Sequence, residues 1–267
     1  MEVSLGESPL PSVHGPRTDT ERVLLSLVIP AYKESGRIGP SLEKAFRYFE
    51  TVPYDAEILV VDDGSPDDTV AQVERVFATK PASLTRLSTR VIPLGANMGK
   101  GAAVRRGMLE ARGKVRIFTD ADFSTPVHEV AKIIPLIQDG EYDVVIGSRA
   151  LEGRALVKKH QPWYREMMGR FFNILVQLFV FRGIRDTQCG FKGFSDHAAQ
   201  ILFSRQQVNG FSFDVEVLYL ARRNGYRIRE IAVEWYNDER TTVGALSDSM
   251  RMFMELLRIR NMHRHDL

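Results

Sequence analysis

The chain has 267 residues, 44% of them hydrophobic and 26% charged, enough for a large buried core and ordinary for a globular protein. A formal net charge of +2 gives no basis for nucleic-acid binding, and a single cysteine, Cys189, excludes an internal disulfide and fits a reducing cytosol. No stretch reaches the roughly 18 uncharged apolar residues of a spanning helix, and Met1 to Arg22 reads as a disordered tail rather than a signal peptide or membrane anchor.

Beyond the tail, strand-like and helix-like segments alternate. Leu24 to Ile29 reads as a buried strand stopped by Pro30, and Pro40 to Phe49 as a helix with proline near its first turn. Glu57 to Val61 is a second strand; Asp67-Asp68 then cap a helix through Phe77. Arg90 to Leu94 is a third strand, Gly101 to Arg112 a helix ended by Gly113, and Lys114 to Thr119 a fourth strand. Thr125-Pro126 starts a helix through Ile137, and Tyr142 to Ile146 is a fifth strand. The later part is less regular: helices over Trp163 to Phe181, Asp196 to Phe203, Val215 to Asn224 and Ala245 to Arg258, with strand character from Tyr226 to Trp235.

Such alternation implies a mostly parallel, doubly wound α/β sheet, which binds ligands outside the carboxyl ends of its strands. Pro30, Asp62-Asp63 and Asp120-Ala121-Asp122 all occupy such ends. Two carboxylates one residue apart suit a hard divalent cation shared with substrate phosphates, so the pattern points to a metal-dependent enzyme acting on a diphosphate. The run Gly95 to Gly101 fails as a nucleotide phosphate loop, because its glycine spacing is too short and Gly101 stands where Ser or Thr would meet magnesium. It reads instead as a glycine-lined helix entrance beside a ligand.

The motifs Pro30-Ala31-Tyr32-Lys33-Glu34, Val61 to Thr69, Asn97-x-Gly99-Lys100-Gly101, Asp120-Ala121-Asp122 and Gly147-Ser148-Arg149 occur in the order seen in family-two inverting glycosyltransferases of the GT-A fold. The segment Asp186 to Lys192 resembles the dolichyl-phosphate β-glucosyltransferase branch of that family. The resemblance implies one Rossmann-like domain over 23–267, with a nucleotide-sugar-binding half at 23–150 and an acceptor-binding half at 151–267. It implies that Pro30, Ala31, Tyr32 and Glu34 line the nucleotide pocket and that Asp63 contacts base or ribose. Asp120 and Asp122 hold Mg2+ or Mn2+, with backbone contacts from Ala121, and Arg149 approaches the sugar or diphosphate. Lys100 and Lys192 are further donor-site cations, while Gln188, Asp214 and Arg240 serve the acceptor.

Asp214, in Phe213-Asp214-Val215-Glu216, is the candidate general base for an alcohol acceptor; a lipid phosphate is already anionic and needs none. Two bland alternatives stand beside these roles: Asp214 as a helix cap, and Arg149 as a surface ion pair. Where relatives carry a substrate-binding lysine after the last strand this chain has Thr242, and Arg240 supplies charge two positions earlier. The aromatic stripe Phe171 to Phe181, flanked by Lys158, Lys159, Arg165 and Arg170, suits either a core or a peripheral contact with the cytoplasmic face of a membrane. The expected activity is therefore transfer of a sugar, foremost glucose from UDP-glucose, to a polyprenyl or dolichyl phosphate. Transfer to a soluble hydroxyl and a non-catalytic nucleotide-sugar-binding subunit are the alternatives, and a homo-oligomer is left open.

Overall fold

The computed structural model describes residues 23–151, 184–236 and 258–264. The expectations for the tail over 1–22, the helix Trp163 to Phe181 with its flanking cations, Arg240, Thr242 and nearly all of Ala245 to Arg258 fall outside these residues. Seven strands form one sheet: β1 (Leu25–Ala31), β2 (Ala56–Asp62), β3 (Leu87–Pro93), β4 (Val115–Thr119), β5 (Val144–Ser148), β6 (Phe191–Ser195) and β7 (Ile228–Ala232). Their spatial order is β3-β2-β1-β4-β6-β5-β7. The helices are α1 (Ile38–Phe49), α2 (Thr69–Ala78), α3 (Lys100–Glu110), α4 (Val130–Gln138), α5 (Asp196–Arg205) and α6 (Phe213–Arg223).

Alternating side chains of each strand feed two cores. Leu27 and Ile29 pack with α1, α2 and α4, while Val28 between them packs with α3, α5 and α6. Both sheet faces are thus covered, which is why the strands read as continuous apolar runs. All strands but β6 run in one direction; β6 lies antiparallel between β4 and β5. The carboxyl ends of β1 to β5 therefore share an edge, and the amino end of β6 joins them, with Phe191 opposite Thr119.

Three local expectations are corrected and one strand is added. The first strand does not stop at Pro30 but continues to Ala31. Asp63 N donates to Ala31 O, so Ala31 faces β2 and the nitrogen of Pro30 faces the other side, where pairing with β4 has already ended at Val28. No ladder bond is lost, which permits proline there. At the start of α2 it is Asp67, not Asp68, that accepts from Thr69 N and Oγ1. After Pro126 a single 3-10 turn, Val127–Glu129, precedes α4, so the helix starts later than Thr125 suggests. Finally, Phe191-Lys192-Gly193-Phe194-Ser195 is an interior strand that its lysine and glycine disguise.

At the opposite edge a buried acid ties three elements together. Glu57 of β2 accepts from Ser26 Oγ at 2.6 Å, Arg112 N at 2.6 Å and Arg112 Nε at 3.0 Å, and Gly113 N donates to Ser26 Oγ at 2.7 Å. Replacing Glu57 by Ala leaves the buried Ser26 hydroxyl and the part-buried Arg112 N without their acceptor. Urea denaturation of the Glu57→Ala variant is expected to show a loss of about 2 kcal/mol in unfolding free energy.

Candidate active site

The turn after β2 builds the floor of the crevice. Asp62 Oδ2 accepts from Ser65 N at 3.0 Å, and Gly64 adopts φ +68° where an added Cβ would fall 2.3 Å from Ala96 C. Only glycine allows the 96–99 loop to lie so close. The Asp63 carboxylate catches that loop, accepting from Met98 N at 2.7 Å and Gly99 N at 2.9 Å. Burial and the neighbouring Asp62 push its pKa up against these bonds. Asp62 Oδ1 is buried without a hydrogen-bond partner among the described residues. The Tyr32–Glu34 loop docks on the same turn through Lys33 N to Ser65 Oγ (3.0 Å) and Glu34 N to Thr69 Oγ1 (2.8 Å). Glu34 itself is gripped by Arg37 at 2.6 and 2.7 Å, and Tyr32 stays exposed.

Lys100, the first residue of α3, is aimed from this loop at Asp120, with Nζ 2.6 Å from Oδ1. The α3 start is also held from behind, where Gly101 N donates to Asn209 O at 2.8 Å and Gln206 Nε2 donates to Gly101 O. Buried Glu216 of α6 stiffens that support by accepting from Gln207 N and Val208 N, and His263 Nε2 lies 2.7 Å from its Oε1. Asp120 is backed by Gly190, where an added Cβ would sit 2.1 Å from Asp120 Oδ2. Asp122 is half-buried and accepts from Ser124 N at 2.9 Å. Burial and then the charge of Asp120 push its carboxyl up.

Two further ion pairs close the site. Lys192 of β6 is fully buried, donating to Asp214 Oδ1 at 2.6 Å and Cys189 O at 2.5 Å. Burial raises the Asp214 pKa, and the ammoniums of Lys192 and Lys100 oppose it. Asp214 does not cap α6, whose N-cap is Ser212; its side chain is committed to Lys192. Arg149, directly after β5, makes a two-pronged pair with buried Asp186, both contacts at 2.7 Å, and its guanidinium lies 5.5 Å from the Trp235 ring centroid. Asp186 N is anchored in turn on Glu230 at 2.8 Å. Arg149 is an ion pair, but one built into the crevice edge rather than lying loose on the surface. Burial pushes the Cys189 thiol up to about 12, which keeps it an inert packing group.

The field of Asp120 acts on Glu34, Lys100, Asp122, Arg149, Cys189 and Asp214. Residues from strand ends far apart in the chain thus share one crevice. Pro30 and Ala31 enter through the backbone of β1, and the Ala121 side chain packs into the core. Gln188 lies half-buried in the segment between Asp186 and Lys192, and Arg240 is outside the described residues. Asp120 and Asp122 have the donor type and placement to hold a divalent cation. Among the described residues a separate group, His128, Glu129 and Glu234, brings ligand atoms within 4.8 Å of one another, but the Lys132 ammonium already lies 2.8 Å from Glu129. Sequence reasoning missed the roles of Asp186, Glu230 and Trp235; Asp186 opened a quoted motif, yet nothing local linked it to Arg149.

Residues 26–203 match the model of the family described as "Glycosyl transferase family 2". The chain belongs to that family. It is 33% identical to a dolichyl-phosphate beta-glucosyltransferase of Dictyostelium discoideum, over 97% of this chain and 81% of the relative. The enzymes of that name from Saccharomyces cerevisiae and Homo sapiens are 36% and 35% identical, covering 91% of this chain and 75% and 76% of theirs. Among solved structures, mannosyl-3-phosphoglycerate synthase from Rubrobacter xylanophilus matches with a TM-score of 0.65 at 17% identity, over 91% of this chain and 75% of that one. Glucosyl-3-phosphoglycerate synthase from Mycobacterium tuberculosis, in complex with Mn2+, UDP and its product, matches at 0.61 and 16%, over 89% and 78%. At such identities these structures establish the GT-A fold of a single α/β domain. The chain is a hexosyltransferase of this family, and no helix of the described residues is long and apolar enough to cross a membrane.

Burial pushes the Asp186 carboxyl up, but the Arg149 guanidinium outweighs it and holds it below the ordinary range. A depressed carboxylate contributes stability above its unfolded pKa of about 3.9 and loses it as pH falls through the folded value. The Asp186→Asn variant is expected to be less stable by about 2 kcal/mol at pH 7. Urea midpoints of the two proteins should converge as the pH drops below about 4.

Proposed function

We propose that this glycosyltransferase moves glucose from UDP-glucose to a polyprenyl or dolichyl phosphate, with inversion, in a reaction that requires a divalent cation. The observation that carries the reading is the pair Asp120 and Asp122 in a crevice with Arg149, in a chain about 35% identical to dolichyl-phosphate beta-glucosyltransferases along nearly its whole length. Asp120 and Asp122 would hold Mg2+ or Mn2+, whose positive charge stabilises the departing diphosphate. The structural relative bound to Mn2+ and UDP supports that choice of ligand chemistry.

In the transfer, an acceptor phosphate oxygen forms a bond to the anomeric carbon as its bond to the UDP oxygen breaks. Negative charge builds on the diphosphate, and Arg149 faces it with an orientation fixed by Asp186 and Trp235. A guanidinium paired this way keeps further N–H donors for a ligand. The state of Asp214 favours a phosphate acceptor over an alcohol. Its Oδ1 is taken by Lys192 and only 5% of the residue is exposed, so it is poorly placed to receive a proton. An anionic phosphate oxygen needs no base. The domain reading, with donor half 23–150 and acceptor half 151–267, and the roles of Pro30, Tyr32 and Glu34 at the nucleotide belong to this same proposal, as does a peripheral contact with a membrane that carries the acceptor.

UDP release from UDP-glucose with Mn2+ is expected to depend on added polyprenyl phosphate and to yield a β-linked glucosyl phospholipid. Asp122→Ala should lower the rate by well over tenfold, the factor that about 1.4 kcal/mol of barrier represents. Release driven only by a soluble hydroxyl acceptor would overturn the lipid assignment, and an Asp122→Ala rate within about threefold of the parent would overturn the cation assignment.

A further inference from the structure

We infer that Lys100 is a built-in occupant of the cation position on Asp120, and that divalent cation and donor diphosphate enter together because its ammonium must leave that carboxylate. The inference rests on the reading of Asp120 and Asp122 as the cation-binding pair.

Its basis is the geometry of one contact. Lys100 Nζ sits 2.6 Å from Asp120 Oδ1, on one of the two carboxylates best placed for a divalent ion. A hard divalent ion and an ammonium on the same oxygen would stand close together and repel strongly in a partly desolvated crevice. One of them must move, and the structure decides which. Asp120 is pressed against Gly190, where an added Cβ would lie 2.1 Å from its carboxylate. The backbone of Lys100 is fixed on both sides, by Asp63 holding Met98 N and Gly99 N and by Asn209 O holding Gly101 N. The four-carbon side chain of Lys100 is the one adjustable part, and the strongly hydrated, rotatable ammonium suits a temporary partner.

The same contact balances the site before substrate arrives. Without it, Asp120, Asp122 and Glu34 would form a cluster of carboxylates opposed only by Arg37 and, from the flank, the Asp186-paired Arg149. With it, a free divalent ion meets a site whose charge is already partly matched, and binds weakly. A nucleoside diphosphate changes both sides of that balance: it offers oxygens to the displaced ammonium and further ligands to the ion. Each ligand therefore raises the affinity of the other, and the coupling is reciprocal.

The test measures Mn2+ binding to the purified full chain by the EPR signal of free Mn2+, with and without UDP. Lys100→Met is expected to bind Mn2+ about tenfold more tightly than the parent without UDP, a ratio equivalent to about 1.4 kcal/mol. The gain in Mn2+ affinity on adding UDP should shrink in the same variant. Lys100→Arg, which keeps the charge, should bind no more tightly than the parent. Circular dichroism checks folding, and Lys100→Gln replaces Lys100→Met if the latter does not fold. Unchanged or weaker Mn2+ binding in the neutral variants, with binding abolished by Asp122→Asn, would overturn the role of Lys100 while leaving the cation site standing. Parental binding in both Asp120→Asn and Asp122→Asn would overturn the cation site, and this inference with it.

Discussion

A lysine in the interior of a seven-stranded sheet is the constraint around which this molecule is arranged. Lys192 lies opposite Phe118 on one neighbour and Ile146 on the other, with no exposure to water. Its ammonium is tolerable only because Asp214 and the Cys189 carbonyl meet it; removing one partner of a buried pair leaves an uncompensated charge. That requirement draws the start of α6 against the sheet. β6 lies in register between β4 and β5, which places Gly190 beside Asp120. The alternation of side chains then sends Lys192 and Phe194 to one core and Phe191 to the other.

From this anchor, positive and negative groups alternate across the crevice: Asp214 between Lys192 and Lys100, Asp120 beyond Lys100, and Asp186 with Arg149 at the flank. Each charge is held by a backbone that something else has fixed. Glycines let chain segments approach where a side chain would collide, and carboxylates collect the loop amides. The outcome is a preorganised field, which is the property that stabilises charge developing in a transition state. A glycosyl transfer whose leaving group is a diphosphate calls for such a field.

The strand-end framework was legible in the chain because local rules governed it. Apolar runs of strand length stop at Asp62 and Asp120, and the Asp-Gly turn announces the bend that brings Ala96 close. Pairs made across long stretches of chain were not legible. Nothing near Asp214 signals a partner 22 residues away, and the alternative of a cap is removed by Ser212 holding that position. The sixth strand escaped for a related reason: a lysine and a glycine in five residues erase the alternation that marks a strand. Asp67 and Asp68 illustrate the finest limit, since adjacent identical side chains differ only in the turn geometry that decides which one reaches Thr69. The family resemblance located Arg149 without revealing that Asp186, Glu230 and Trp235 hold it in place.

The antiparallel direction of β6 brings the two ends of one long connection to the same place. Because β5 ends and β6 begins at the same edge, Arg149 and Gly190 are both delivered to the crevice. The two ends of the connection are stitched together where Arg149 N and its guanidinium meet Asp186, 37 residues on. With its ends clasped, a connection of this size adds little to the entropy of closing the fold, because closure entropy grows only slowly with loop length.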